Sequence, residues 1–447
     1  ADPSSWRQGQ YRFELQGDHL HELERLSGFT LPEAESIDLK AELRFDWDQY
    51  LTVSQLSAQL GANELHGRFH WDMAASRPAI RARFESQQLY ATADGSDALL
   101  TDSSNQKFAE YGDQLLDIST LADFDLDARF RVERLDGLGK TVRNIAFTAK
   151  AENQQFRLVV ENASVDDTQL AATATLPWGE RLTTLVPAPV SLSTLLQHTS
   201  LEVLARAPDA IYSYHTSLMG NPFDLAISTV EATVQAGERV MIQAGAVLNN
   251  EPVILSLQGE PFDVLLQHPG GPWQQLEFEA RGSDIRLQAS GSVARPFEGE
   301  GFNVRYAMFG PDIDFLLPLQ GAWSLAGYYA GHPDRHVFDQ LKLTIDKSDI
   351  GGRLVLYHNE KRPRLVANLQ SGQLHVDQIL PQNPGGSATV AGLEQTFDIG
   401  PLAAFDLEGD LQVQQLEGAG KPVKNVRLTM HAGAQKLILA PLRATVE

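Results

Sequence analysis

The chain contains no cysteine, which removes disulfide frameworks, thiol catalysis and cysteine-ligated zinc together. That absence leaves the compartment open, because cytosolic and envelope proteins alike can do without cysteine. Positive charge is scarce too: 36 Lys and Arg stand against 58 Asp and Glu, a formal net charge of −22. This balance argues against nucleic-acid binding, which needs a basic footprint, and against a polybasic membrane-surface patch. No stretch approaches the roughly 20 apolar residues that cross a bilayer as a helix. The opening Ala1-Asp2-Pro3-Ser4-Ser5 has no initiator Met, basic n-region or apolar h-region. Either a signal or anchor has been removed, or the chain is excised from a longer one. Gly-rich phosphate loops, Gly-x-Ser-x-Gly elbows and His-Glu-x-x-His pairs are also missing. No catalytic site is legible and no cofactor is expected.

What is present is a large apolar fraction, 43% of 447 residues, enough to bury a substantial core in two or three domains. It is arranged with period two. From Phe124 to Glu133 every even position is apolar and every odd position charged, as in a strand with one dry and one wet face. Leu276, Phe278 and Ala280, then Ile285, Leu287 and Ala289, follow the same rule around a Gly282-Ser283-Asp284 turn. So do Val426, Leu428 and Met430. At Thr141 to Lys150 both faces are mixed, and the dry one is not assignable. Helix signals are few: His19 to Ser27, with Asp18 as N-cap, and more weakly Gln114 to Leu121, Leu192 to Arg206 and Pro311 to Leu317.

The most specific signal is an internal repeat. At an offset of 285, Gln55-Leu56 meets Gln340-Leu341, Gly67-Arg68 meets Gly352-Arg353, and Arg77-Pro78 meets Arg362-Pro363. Ala82, Ser86 and Gln88-Leu89 meet Ala367, Ser371 and Gln373-Leu374. A second unit recurs at an offset of 281: Phe124-Asp125-Leu126 matches Phe405-Asp406-Leu407, and Val132 matches Val413. There Leu135-x-Gly137-x-Gly139-Lys140-x-Val142 matches Leu416-x-Gly418-x-Gly420-Lys421-x-Val423, followed by Asn144 and Asn425. The two units were therefore duplicated as a block. The expected organisation is 1–89 and 90–176 as the first copy, 177–301 unmatched, then 302–380 and 381–447 as the second. Residues 381–447 end at the counterpart of Asp166, so the natural protein is expected to continue.

Other candidate chemistry is thin. His332 and His336 are four apart, but Gly331 and Pro333 make the segment a turn, so loop histidines are expected and not a metal site. His19-x-His21, His66 and His70 lack an evident third ligand. Asp123, Asp125 and Asp127 read as solvating charges on a wet face. Asp46-Trp47-Asp48 and His70-Trp71-Asp72 read as neighbours at a hairpin turn, with a sugar-binding patch as the sharper alternative.

Two ordered patterns resemble the bacterial AsmA-like family of envelope proteins. One runs Gly310-Pro311-Asp312, Leu316-Leu317-Pro318-Leu319-x-Gly321, Gln340-Leu341, Gly351-Gly352-Arg353-Leu354 and Arg362-Pro363-x-Leu365. The other runs Leu115-Leu116, Leu121-x-x-Phe124-Asp125-Leu126-Asp127-Ala128 and the Leu135-x-Gly137 turn. In the first copy Leu65-His66-Gly67 stands where the family has a Gly-Gly pair, and the basic, apolar N-terminal anchor is missing. The resemblance implies an all-β chain with a few short helices, built as a long curved antiparallel sheet that forms a trough-like apolar groove. It implies a non-enzymatic periplasmic protein, anchored in the inner membrane, that conducts phospholipid towards the outer membrane. Acyl chains would then lie along Phe124, Leu126, Phe130, Val132, Leu276, Phe278, Ile285, Leu287, Phe405, Leu407, Leu411, Val413, Val426 and Leu428. Lipid tails hide a one-sided apolar sheet as well as a second sheet does, so an ordinary sandwich core stands as the plainer alternative. The competing function is a scaffold or chaperone-like factor for outer-membrane assembly, engaging outer-membrane proteins through exposed strand edges. A secreted carbohydrate-active protein and a transmembrane barrel rank below both.

Overall fold

The computed structural model describes residues 8–17, 36–90, 115–116, 124–136, 141–178, 190–218, 221–267, 271–296, 300–311, 321–358, 362–375, 406–418, 422–433 and 436–446. Among them, 24 strands belong to one unclosed sheet, and helix is confined to Leu192–Gln197 and Phe262–Gln267. Contacts divide the chain into two units. Unit 1 is Ala1–Ile211, Thr229–Val240 and Pro261–Pro269; unit 2 is Tyr212–Ser228, Met241–Glu260 and Gly270–Glu447. The expected all-β architecture is what the backbone adopts. Its hairpins turn on short polar dipeptides: Asn153-Gln154 and Asn249-Asn250 each place both residues at positive φ, the geometry whose twist matches the flanking strands.

The sequence repeat is a repeat of backbone detail. Gln55 (φ 52°) and Gln340 (φ 50°) sit in the left-handed region, each within a register shift, at Val53/Leu56 and Phe338/Leu341. Asn144 (φ 54°) and Asn425 (φ 53°) do the same at Arg143/Ala146 and Lys424/Arg427. A left-handed conformation costs a non-glycine residue about 1 kcal/mol or more, so its recurrence marks β-bulges built into each copy.

Among the described pairings the ladder departs from antiparallel at two places, and they are equivalent. Ala79–Tyr90 pairs in parallel with Asp125–Asp136, and Arg364–His375 with Asp406–Glu417, in the same register. These are the junctions between the two repeated units. At the entry, the Arg77 guanidinium meets Asp125 at 2.8 Å and Arg362 meets Asp406 at 3.1 Å. The Asp125 and Asp406 N–H groups donate to the Pro78 and Pro363 carbonyls, at 2.8 Å each. The Arg-Pro and Phe-Asp-Leu motifs are thus two halves of one contact. At the exit, Gln88 donates to Asp136 at 3.0 Å and Gln373 to Glu417 at 3.1 Å.

Asp136 also accepts from Arg134 at 2.7 Å and from Thr141 at 2.6 Å. The Arg134 hydrogen bond first, then that of Thr141, hold its carboxyl at about 2, below the usual carboxylate value, against the opposing effect of burial. A depressed folded-state pKa contributes stability that is present above about pH 4 and lost as pH falls towards 2. Carboxyl NMR titration is expected to give a midpoint near 2 for Asp136, and Asp136→Asn is expected to flatten the pH dependence of the melting temperature across that window. An ordinary midpoint near 3.9 refutes the clasp.

Some helix expectations change. Leu192 to Arg206 is helical only over Leu192–Gln197, and Ser200–Arg206 is a strand. Leu201, Val203 and Ala205 alternate towards Ala174, Ala172 and Leu170, and this pairing overrides the weak helical period. Leu115–Leu116 is a two-residue strand paired with Val190–Ser191. The remainder of Gln114 to Leu121, the His19 to Ser27 helix, and Pro311 to Leu317 beyond Pro311 lie outside the described residues.

Candidate functional site

In unit 1, strand alternation sorts side chains into two faces of opposite character. One row across the dry face runs Leu56, Gly67, Phe84, Phe130, Phe147, Val160, Ala172, Val203 and Ala232. The neighbouring row, two residues along each strand and three across the bulge at Gln55, runs Val53, Phe69, Ala82, Ala128, Ala149, Leu158 and Ala174. The opposite face at the same level carries Arg68, Arg83, Arg129 and Thr148. The strand Val142–Glu152 is resolved by its partners: Phe147, Ala149 and Ala151 join the dry face, and Thr148 and Lys150 the wet one.

The dry face has relief. Ala82, Ala128 and Ala149 are buried, with Phe69, Phe84, Leu126, Phe130, Phe156 and Leu158 packed around them and only partly buried. Phe130 lies 4.6 Å from Phe147 and 5.0 Å from Phe84, centroid to centroid. Small buried residues thus lie among larger, partly buried aromatic and aliphatic ones on this face. Unit 2 repeats the pattern: small Ala367 and Gly409 stand in register with Leu354 and Met430. The adjacent row there is Leu369, Leu411 and Leu428.

Burial on this face is incomplete. Among the described residues, Val293 in unit 2 is the one large side chain with under 2% exposure. In a two-sheet sandwich the facing side chains interdigitate and lose nearly all contact with water. Tyr11 and Phe13, which pair with Leu43 and Ala41 on the dry face of unit 1, remain 49% and 42% exposed. Over part of unit 1 a cover is present: Leu195 of the Leu192–Gln197 helix packs on Ala151 and Trp178, beside Leu126, Phe156 and Leu176.

The residues expected to line the groove fall as follows. In unit 1, Leu126 and Phe130 are half-buried and Val132 is buried; Phe124 is half-buried just before its strand. In unit 2, Leu276 is buried and Phe278 half-buried, opposite Gly291 and Ala289. Half-buried Leu287 pairs with Met308, while Ile285 packs beside Trp323 and Ile345. Leu407 pairs with Leu365, Leu411 with Leu428, and Val413 with Val426. Phe405 lies outside the described residues. Sequence reasoning missed Phe69, Phe84, Phe147, Phe338 and Leu369, although period-two alternation on their own strands carried the signal.

Among the described residues, His66, His70, His332 and His336 each make their own contacts. His332 sits in a hairpin closed by its N–H to the Arg335 carbonyl at 2.8 Å. The His336 ring meets the Tyr329 hydroxyl at 2.9 Å and lies 4.8 Å from the His358 ring. Burial first, then the His358 charge, push its pKa down. His66 meets Glu64 at 2.7 Å and His70 meets Thr52 at 2.8 Å. No group of three metal-ligating side chains occurs among the described residues. Asp46-Trp47-Asp48 does lie beside Asp72: Tyr50 pairs with Asp72, and the Met73 N–H donates to the Gln49 carbonyl.

No helix among the described residues is long and apolar enough to cross a membrane. Comparison with protein-family models, curated proteins and solved structures returns no match to the chain.

Proposed function

We propose that this chain is a non-enzymatic, lipid-binding length of an AsmA-like envelope protein that conducts phospholipid between inner and outer membranes. The observation that carries this reading is the dry face itself, apolar strand after strand and floored by small residues, with its large side chains left half-exposed. Water contact with apolar surface costs about 25 cal/mol per Å², so a face of this kind calls for an apolar partner. Acyl chains supply one without requiring shape-matched side chains, and they can move along a furrow that presents the same chemistry from row to row. The periplasm, where such a conduit would work, and an inner-membrane anchor outside this chain belong to the same proposal.

The test is organic extraction of the purified chain followed by lipid mass spectrometry. Phospholipid in reproducible stoichiometry is the expected result. A folded, soluble chain that carries no phospholipid and takes none up from vesicles refutes the reading. Cross-linking to outer-membrane proteins through the strand edges by such lipid-free protein would favour the scaffold function instead.

A further inference from the structure

The wet face of unit 1 carries a basic patch that lipid conduction does not use. Arg68 stands directly across from Arg83, and Arg83 directly beside Arg129. Like charges directly opposite one another destabilise a sheet. Among the described residues Arg68 and Arg83 form no ion pair, and Arg129 reaches Asp127 only at 3.6 Å. One strand position away on the same face lie Arg81 and Lys150, flanking Asp127. Arg68, Arg81 and Arg83, with Asp127, Thr52 and His70, line a shallow depression of about 460 Å³.

The second copy shows that the fold does not need this row. The counterparts of Arg68, Arg83 and Arg129 are Arg353, Asn368 and Asp410, in the same register. There the Thr429 hydroxyl donates to Asp410 at 2.7 Å, and the row holds one positive and one negative side chain, Arg353 and Asp410, in place of three arginines. Arg81 and Lys150 likewise correspond to Val366 and His431. A positive cluster has been placed in one copy alone, on a chain whose net charge is −22.

We infer that this patch docks a short acidic peptide segment of a partner protein. Guanidinium forks take carboxylates bidentately, and neighbouring strands space them about 4.8 Å apart, which suits several carboxylates in succession. The depression is too open to enclose a lone phosphate. A long nucleic acid would meet the repulsion of a chain with net charge −22, which a short peptide confined to the patch largely avoids.

The probe is a fluorescein-labelled oligoglutamate peptide of about ten residues, titrated with the full chain and followed by anisotropy. Arg83→Asn combined with Arg129→Asp installs residues that the second copy already accommodates. Saturable binding at low ionic strength is expected, weakened by salt as the Debye length shortens to about 8 Å, and reduced at least about tenfold in the double variant. Arg353→Asn is expected to bind as the unaltered chain does. Should the double variant misfold, Arg83→Gln alone is expected to give a partial loss. Absent binding, or equal binding by the Arg83 and Arg129 variants, overturns the inference. Competition by inorganic phosphate or a single-stranded oligonucleotide at lower concentration than the peptide also overturns it.

Discussion

Gly352→Val is expected to lower the melting temperature of unit 2 by roughly 6–12 °C. Gly352 has φ +143°, and a Cβ there would stand 2.0 Å from the Asn368 carbonyl oxygen and 3.0 Å from the Leu369 Cα. Both are backbone atoms of the paired strand, so no rotamer change relieves the contact. A β-branched residue in that region adds conformational strain, and a loss of about 3 kcal/mol corresponds to this shift for a unit of such size. Gly351 is the internal control. Its counterpart in the first copy is His66, and a Cβ at Gly351 comes no nearer than 3.1 Å, to the Leu341 carbonyl oxygen. Gly351→His is expected to melt within a few degrees of the unaltered chain. Thermal unfolding followed by circular dichroism decides the matter, and equal losses at the two glycines would show that close approach is not the cause.

Phe130→Asp combined with Leu411→Asp is expected to cut co-purifying phospholipid at least about tenfold while the sheet stays folded. The two positions are equivalent in the two copies and mid-strand on the dry face. Phe130 lies between Phe84 and Phe147, and Leu411 between Leu369 and Leu428. They serve better than Leu126, which already packs beside the Leu192–Gln197 helix cluster. A carboxylate against acyl chains must be desolvated or protonated, at a cost of several kcal/mol, and about 1.4 kcal/mol is tenfold in occupancy. Without lipid, the same side chain at these half-buried positions reaches water, so the fold is spared. Lipid mass spectrometry and circular dichroism on the same preparation separate the outcomes. Unchanged lipid in soluble, folded double variant removes these residues from the groove.

Much of this was legible in advance because a strand writes its face into its sequence at period two. Leu126, Phe130 and Val132 were placed on one face from alternation alone, and the structure puts them in register with Ile80, Phe84 and Ser86 on that face. The paired motifs at offsets 285 and 281 marked positions of backbone constraint: Gln55 and Gln340, Asn144 and Asn425, Gly67 and Gly352. What alternation does not carry is which strand stands beside which. Nothing local in Arg77-Pro78 says that its partner is Asp125, 48 positions later, because the pairing follows a crossover whose closure depends on the whole sheet.

The sequence by itself determined the strand character, the one-sided faces and the ordered duplication, since each follows from side-chain direction and residue spacing along one strand. Only the tertiary structure decided the parallel junctions, the face adopted by Val142–Glu152 and the union of Ala82, Ala128 and Ala149 into one buried cluster. It alone brought Arg68, Arg83 and Arg129 into one row. All of these are relations between strands, fixed by register across hydrogen-bonded neighbours, and register is set by bulges and pairings that act at a distance along the chain.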